Sequence, residues 1–245
     1  MYRGMTARMN HLGQDRSEIQ FAVKELGKDM STPTAGSWTK MKRVLRYLRG
    51  VPRAVLHFSY QQRPRGITTW SDSDFAGCEK SRKSTSAGVT MFGTHTLKSW
   101  ATNQAVIALS SGEAEYYALV KASSVSLGVK AIYDDLGIEI TGPIEVNSDA
   151  SAAIGISNRI GSGKVRHIEV TQLWLQEKVS KKVIVLNKVG TEDNLADALT
   201  KGVDAESIRK HCEGVGLELR EDRHRLAPKL DGKSGGAEMK LDDEE

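Results

Sequence analysis

Cysteine is scarce: Cys78 and Cys212 are the only two in 245 residues. Two thiols cannot form the disulfide framework of a small secreted scaffold, so a reducing, intracellular setting is expected. Long apolar runs are missing as well. Stretches such as Ala105–Leu109 stop at five residues, far short of the roughly 18 that a membrane span needs. The opening MYRGMTARMN has no apolar core of a secretory signal. No internal repeat is present. Apolar content of 39% and charged content of 27% are ordinary, which excludes a collagen-like, mucin-like or wholly disordered chain. The length fits one large domain, or a domain with appendages.

The net charge of +4 hides an uneven spread. Residues 1–66 hold 13 Lys/Arg against 4 Asp/Glu, residues 67–204 hold 14 against 16, and residues 205–245 hold 8 against 11. The first block is basic enough to steer a polyanion. The second, if its carboxylates converge, suits a divalent cation.

Hydrophobic periodicity places the elements. Ile19, Ala22, Val23, Leu26 and Met30 form an amphipathic helical stripe, broken by Ser31-Thr32-Pro33-Thr34. A second helix is predicted from Ser37 to Leu48, with Trp38, Met41, Leu45 and Leu48 inward and a basic remainder that includes Lys42 and Arg46. Its charged face is either solvated or a contact surface for phosphates. From Ile67 the character changes. Strands are predicted at Ile67–Asp74, Ala87–Phe92 and Leu97–Ala101, the last two as a hairpin around Gly93-Thr94-His95. Ser110-Ser111-Gly112-Glu113 reads as a capping box opening a long helix that ends near Gly137. A strand at Ile144–Ser148, a short helix at Ala150–Asn158, a loop at Gly161–Gly163 and a helix at Val165–Lys181 follow. Val183–Leu186 reads as a strand buried on both faces, and Thr191-Glu192-Asp193 as the start of a last helix holding Asp197. This is an α/β order: a mixed sheet with helices packed on it. Residues 205–245 read as a short helix to Glu213, then a disordered acidic tail.

Four acids sit where a solvated face does not explain them. Asp72 lies in or at the end of the first sheet strand, where aspartate is disfavoured. Glu115 is one turn into the long helix, Asp149 directly follows a strand, and Asp197 falls in the predicted last helix. Strand ends and helix starts are where open sheets build sites. Carboxylates gathered there repel one another unless cations neutralise them. Hard oxygen donors suit Mg²⁺ or Mn²⁺, and paired ions are the usual machinery for phosphodiester cleavage. The alternative is four unrelated surface acids. Within the strand Asp74 shares a face with Asp72 and competes with it, and on the helix Glu113 competes with Glu115. Tyr133-Asp134-Asp135 lacks the intervening residue of a polymerase Y-x-D-D and sits at a helix end, so no polymerase activity is expected.

Six stretches together resemble the ribonuclease H domain of copia-type retrotransposon Pol polyproteins. They are Trp70-Ser71-Asp72-Ser73-Asp74-Phe75-Ala76-Gly77, Arg82-Lys83-Ser84-Thr85-Ser86, Ala108-Leu109-Ser110-Ser111-Gly112-Glu113-Ala114-Glu115-Tyr116, Ser148-Asp149, Arg166-His167-Ile168-Glu169, and Thr191-Glu192-Asp193-Asn194-Leu195-Ala196-Asp197-Ala198-Leu199-Thr200-Lys201. Tyr2-Arg3-Gly4 and Lys42 to Gly50 resemble the C-terminal end of the neighbouring reverse transcriptase. The resemblance covers residues 2–204. It implies a ribonuclease H-like mixed five-stranded sheet flanked by helices at 67–204. A small basic helical segment precedes it at 1–66, and a short helix with a disordered tail follows at 205–245.

The activity implied is metal-dependent cleavage of the RNA strand of an RNA·DNA hybrid. Asp72, Glu115, Asp149 and Asp197 would be both catalytic residues and ligands of two Mg²⁺ (or Mn²⁺). The family's aromatic-Ser/Thr-Asp run selects Asp72 over Asp74, and its A-E-L-x-A-L pattern selects Glu115, leaving Glu113 to the cap. Ser111, Arg82, Lys83, Lys42 and Arg46 are the expected substrate contacts. The expected partners are the hybrid and the polymerase core or the rest of the Pol polyprotein, with no membrane. The expected place is cytoplasm, nucleus or a virus-like particle. Departures are Lys188-Val189-Gly190, where many cellular ribonucleases H carry a mobile histidine, and Ser17-Glu18-Ile19 in place of the family's R-P-D-I. His167 reads as structural or phosphate-contacting. A catalytically silent hybrid-binding or assembly module is the competing reading, and an integrase-like relative on the same fold a third.

Overall fold

The computed structural model describes residues 1–160, 168 and 173–227. The chain opens with helix α1 (Tyr2–Leu12), a 3-10 turn at Ser17–Ile19, α2 (Gln20–Gly27), α3 (Ala35–Gly50) and strand β1 (Arg53–Leu56). The central stretch holds β2 (Ile67–Ser73), β3 (Thr85–Phe92), β4 (His95–Asn103), α4 (Ser111–Asp135), β5 (Ile144–Ser148), α5 (Ser151–Ser157), α6 (Trp174–Ser180) and β6 (Ile184–Lys188). Two 3-10 turns, Thr191–Asp193 and Asp197–Leu199, lead to α7 (Ala205–Gly214) and β7 (Leu217–Arg220). The fold class is the expected one, α/β with a mixed five-stranded sheet flanked by helices.

The sheet order is β4-β3-β2-β5-β6. β2, β3 and β4 form an antiparallel meander, while β5 runs parallel to β2 and β6 parallel to β5. The β3–β4 connection is the two-residue turn Gly93-Thr94, with Gly93 at φ 63°, the left-handed geometry such a hairpin needs. Gly88 faces Trp100 across the same hairpin. A Cβ there would lie 2.6 Å from Trp100 Cζ2, so the indole packs only because the position is glycine.

α4 is the spine of one face. Ser110 caps it: its Oγ accepts from Glu113 N at 3.2 Å, and the Glu113 carboxylate accepts from Leu109 N at 2.9 Å. Gly137, at φ 69°, ends it. Tyr116, Leu119 and Val120 face Ile144, Val146 and Ile184 in a core that α5 and α6 complete. Each such fully buried side chain contributes about 1.5–3 kcal/mol. One buried polar link fixes α4 on the strand: the Thr69 and Ser126 hydroxyls bond at 2.7 Å. On the other face Ala87, Val89 and Met91 pack with Leu199, Cys212, Val215 and Leu217.

Several sequence expectations need correction. The basic block holds three helices. α1 was not foreseen, because its inward residues Tyr2, Thr6 and Met9 lie among polar ones. The inner stripe of α3 is centred on Met41 and Val44, while Leu45 is 39% exposed: the helix is rotated from the expected face. β6 is an edge strand with only Ile184 buried, not a strand covered on both sides. Asp197 lies in a short 3-10 turn, not an α-helix: Asn194 is extended at φ −81° and ψ 101°, and its side chain accepts from Ala196 N, which breaks the segment between the two turns. After the expected helix near Glu213, β7 forms and pairs antiparallel with β1. The loop at Gly161–Gly163, the start of the helix expected from Val165, His167 and the tail from 228 lie outside the described residues.

The rotated stripe makes a direct prediction. Met41→Ala should cost about 2–5 kcal/mol of unfolding free energy, and Leu45→Ala less than about 0.5 kcal/mol. Urea denaturation of both variants checks it; equal losses would restore the face that the periodicity suggested.

Candidate active site

Strand register assembles the site. β2 and β5 are parallel, so their C-terminal ends emerge at the same sheet edge, and Trp70 lies opposite Asn147. Two residues further along each chain are Asp72 and Asp149, which are therefore level. α4 starts at this edge, and Glu115, in its second turn, accepts from Ser73 N at 3.3 Å. Oxygens of Asp72, Glu115 and Asp149 all lie within 4.8 Å of one another. Asp197 is beside the trio rather than in it, and its Oδ1 takes the Lys201 ammonium at 2.6 Å.

Asp72 is 5% exposed. Burial pushes its pKa up to about 7, helped by the charges of Asp197 and Asp149 and opposed by a hydrogen bond from Thr200. Burial likewise pushes Glu115 up to about 8, with Asp72 and Asp149 adding to the rise and the Ser73 backbone opposing it. Both are thereby biased toward the protonated form when no cation is present. Glu115 Oε2 is buried and has no hydrogen-bond partner among the described residues. A buried, unpartnered carboxyl oxygen close to two further carboxyl groups is a donor set that suits a hard divalent cation.

One segment, residues 191–201, braces these acids. Thr191 Oγ1 donates to Asp149 Oδ2 at 2.7 Å, Thr200 Oγ1 to Asp72 Oδ2 at 2.5 Å, and Asn194 Nδ2 to Ser71 O at 3.1 Å and Asp72 Oδ1 at 3.4 Å. None of these three was singled out in the sequence. Their signal was present, since all lie in the stretch that carries Asp197, but hydroxyl and amide residues there read as turn formers.

The competing acids are engaged elsewhere. Asp74 accepts from both Thr85 N and Thr85 Oγ1, which turns it toward β3. Glu113 accepts from Leu109 N and from the Tyr117 hydroxyl. Of the expected substrate contacts, Ser111 is exposed at the first residue of α4, one turn before Glu115. Arg82 is exposed in a left-handed turn at φ 55°. The Lys83 ammonium donates to Ala105 O at 2.6 Å and so supports the loop entering α4. Lys42 and Arg46 are exposed on α3, which packs on α2.

No family model matches the chain. It is 28% identical over 217 residues to the retrovirus-related Pol polyprotein from transposon RE2 of Arabidopsis thaliana, covering 88% of this chain and 15% of that protein. It is 29% identical over 203 residues to the corresponding polyprotein from transposon TNT 1-94 of Nicotiana tabacum, covering 82% and 15%. A stretch of 108 residues is 34% identical to secreted RxLR effector protein 161 of Plasmopara viticola, 44% of this chain and 75% of that protein. Among solved structures, LC11-RNase H1 in complex with an RNA/DNA hybrid aligns over 59% of this chain and 97% of its own, with 19% identity and a TM-score of 0.37. The chain thus spans about 15% of the length of the Pol polyproteins it matches.

The buried acids set a pH dependence. Asp72 and Glu115 bind protons more tightly folded than unfolded, so protonation favours the folded state. With chelator present, stability should fall as pH rises from the ordinary carboxylate range through about 7 and about 8. Thermal unfolding in EDTA at about pH 5.5 and about pH 8.5 measures the drop. Asp72→Asn should shrink it and Mg²⁺ should reverse it at the higher pH. A drop that neither change affects would separate the pH dependence from these acids.

Proposed function

We propose that the chain, which is similar to the retrovirus-related Pol polyproteins of transposons RE2, RE1 and TNT 1-94, is a metal-dependent endonuclease hydrolysing the RNA strand of RNA·DNA hybrids. The observation that carries this reading is the convergence of Asp72, Glu115 and Asp149 at one sheet edge, with Glu115 Oε2 left unpartnered. These three, with Asp197 beside them, would hold two Mg²⁺. Cations held there would supply Lewis acidity for the attacking water and for the charge on the leaving 3′ oxygen.

The chain's own groups do the rest. Asp72 and Glu115 would ligate a cation as carboxylates, losing to solvent any proton they carry. Thr191, Asn194 and Thr200 keep the carboxylates facing one another, which limits reorganisation during the reaction. Ser111, exposed at the α4 start, is in place for a 2′-hydroxyl, the group that separates RNA from DNA. The exposed cations Lys42, Arg46 and Arg82 contact phosphates. Specificity is then for helix form rather than sequence, and the family resemblance implies 5′-phosphate and 3′-hydroxyl products. The polymerase core and the remainder of the polyprotein are the proposed partners.

A labelled hybrid incubated with the purified chain and Mg²⁺ tests the activity. Asp149→Asn should lower cleavage at least about 100-fold, a loss typical of removing a principal transition-state electrostatic group. Wild type that cuts no better than this variant ends the nuclease reading. Salt-sensitive hybrid binding, indifferent to chelator and without cleavage, would instead identify a binding module. The α3 contribution is separable: Lys42→Gln with Arg46→Gln should flatten the slope of log affinity against log salt by about 1–2. An unchanged slope would remove α3 from the hybrid interface.

A further inference from the structure

Thr200 lies outside the set of acids, yet among the described residues no side chain is hydrogen-bonded more closely to one of them. It is 1% exposed, and its Oγ1 is 2.5 Å from Asp72 Oδ2 and 3.0 Å from the Asp197 carbonyl oxygen. Its backbone continues the Asp197–Leu199 turn, with Thr200 N donating to Asp197 O at 3.3 Å. Leu199, 1% exposed among Ala87, Val89 and Val215, anchors that turn to the sheet. A β-branched side chain on an anchored turn has little rotamer freedom. Asn194 approaches the opposite oxygen, Asp72 Oδ1, at 3.4 Å.

We propose that Thr200 is a positioning residue: its hydroxyl fixes the plane of the Asp72 carboxylate so that this acid faces Glu115 and Asp149. The inference rests on reading those acids as a divalent-cation site. The carboxyl torsion of aspartate is broad and two-fold, so strand geometry alone does not set it. The short Thr200 bond on Oδ2, backed by the longer Asn194 contact on Oδ1, sets it, and each oxygen keeps lone pairs for a cation. Thr200 touches neither cation nor substrate in this account; it acts through Asp72.

The test measures Mn²⁺ binding to the full chain by titration calorimetry, with no nucleic acid present. Thr200→Val keeps the shape and removes the donor, and should weaken Mn²⁺ affinity about 10-fold or more, the usual loss for an outer partner of a metal ligand. Thr200→Ser keeps the donor and should bind as wild type does. Should the valine variant not fold, Thr200→Ala takes its place against Thr200→Ser. A hydroxyl that serves only the turn would lower the melting temperature and leave Mn²⁺ affinity unchanged, and that result overturns the proposal. Wild type that binds Mn²⁺ but does not cut the hybrid removes the nuclease reading, while the serine–valine contrast still decides the role of Thr200. Wild type that binds no Mn²⁺ overturns both.

Discussion

The parallel pairing of β2 with β5 is the constraint on which the site depends. Side chains alternate along a strand, so a slip of one residue would turn Asp149 away from the face that Asp72 presents. The register is held by burial on both sides. Thr69 is locked to Ser126 of α4 on one face, and Trp70 packs toward the Leu199–Leu217 cluster on the other. The long α4 helix then has one way to lie, with its capped start at the edge where both acids emerge. The third carboxylate arrives as a consequence of where the helix begins.

Bringing these acids together opposes folding. Each loses hydration, and each feels the charge of the others, which is why Asp72 and Glu115 keep protons to about pH 7 and about pH 8. Two neutralisers are available to such a cluster: protons or a divalent cation. Lysine supplies little, because Lys201 is half in solvent and is held by Asp197 rather than by the buried pair. The bracing groups from residues 191–201 are neutral hydroxyls and an amide. Neutral donors orient a carboxylate without cancelling its charge, so the cluster keeps its demand for a cation. A structural ion pair would have been built with an arginine or lysine inside the ring of acids.

Much of this was legible in the sequence, and the reasons for the remainder are physical. Asp72, Asp149 and Glu115 could be found because strand ends and a helix cap mark position along the chain, and the family motifs pointed to the same residues. The choice between Asp72 and Asp74 was not decidable from alternation alone, since both lie on one face. The tie of Asp74 to Thr85, a contact between strands, settles where that side chain goes. Leu45 misled because a helix with few apolar residues fits two adjacent faces nearly equally. The pairing of β1 with β7 left no trace: two strands of four residues, separated by most of the chain, carry no periodicity to recognise. The turn carrying Asp197 was read as a helix because its start signals are sound, while the break between the two turns depends on an Asn194 side-chain bond.

The basic segment is joined to the site through buried polar contacts, not only through the chain. Ser17, which stands where the resembling family has proline, bonds His211 Nε2 at 2.9 Å, and His211 Nδ1 donates to Leu195 O at 2.8 Å. Leu195 lies between Asn194 and Asp197, within the bracing segment. Burial holds the His211 pKa below its ordinary value, which favours the neutral ring, able to donate from one nitrogen and accept at the other. Proline at position 17 could offer no hydroxyl to that ring. Nearby, Arg16 pairs with Glu18 at 2.5 Å and donates to Val51 O at 3.1 Å, which fastens the end of α3 to the same junction. The cations of α3 and the acids of the sheet edge are thus fixed by one chain of contacts. Under the proposed function, a polyanion held by the first would meet the second in a set geometry, which a flexible tether would not supply.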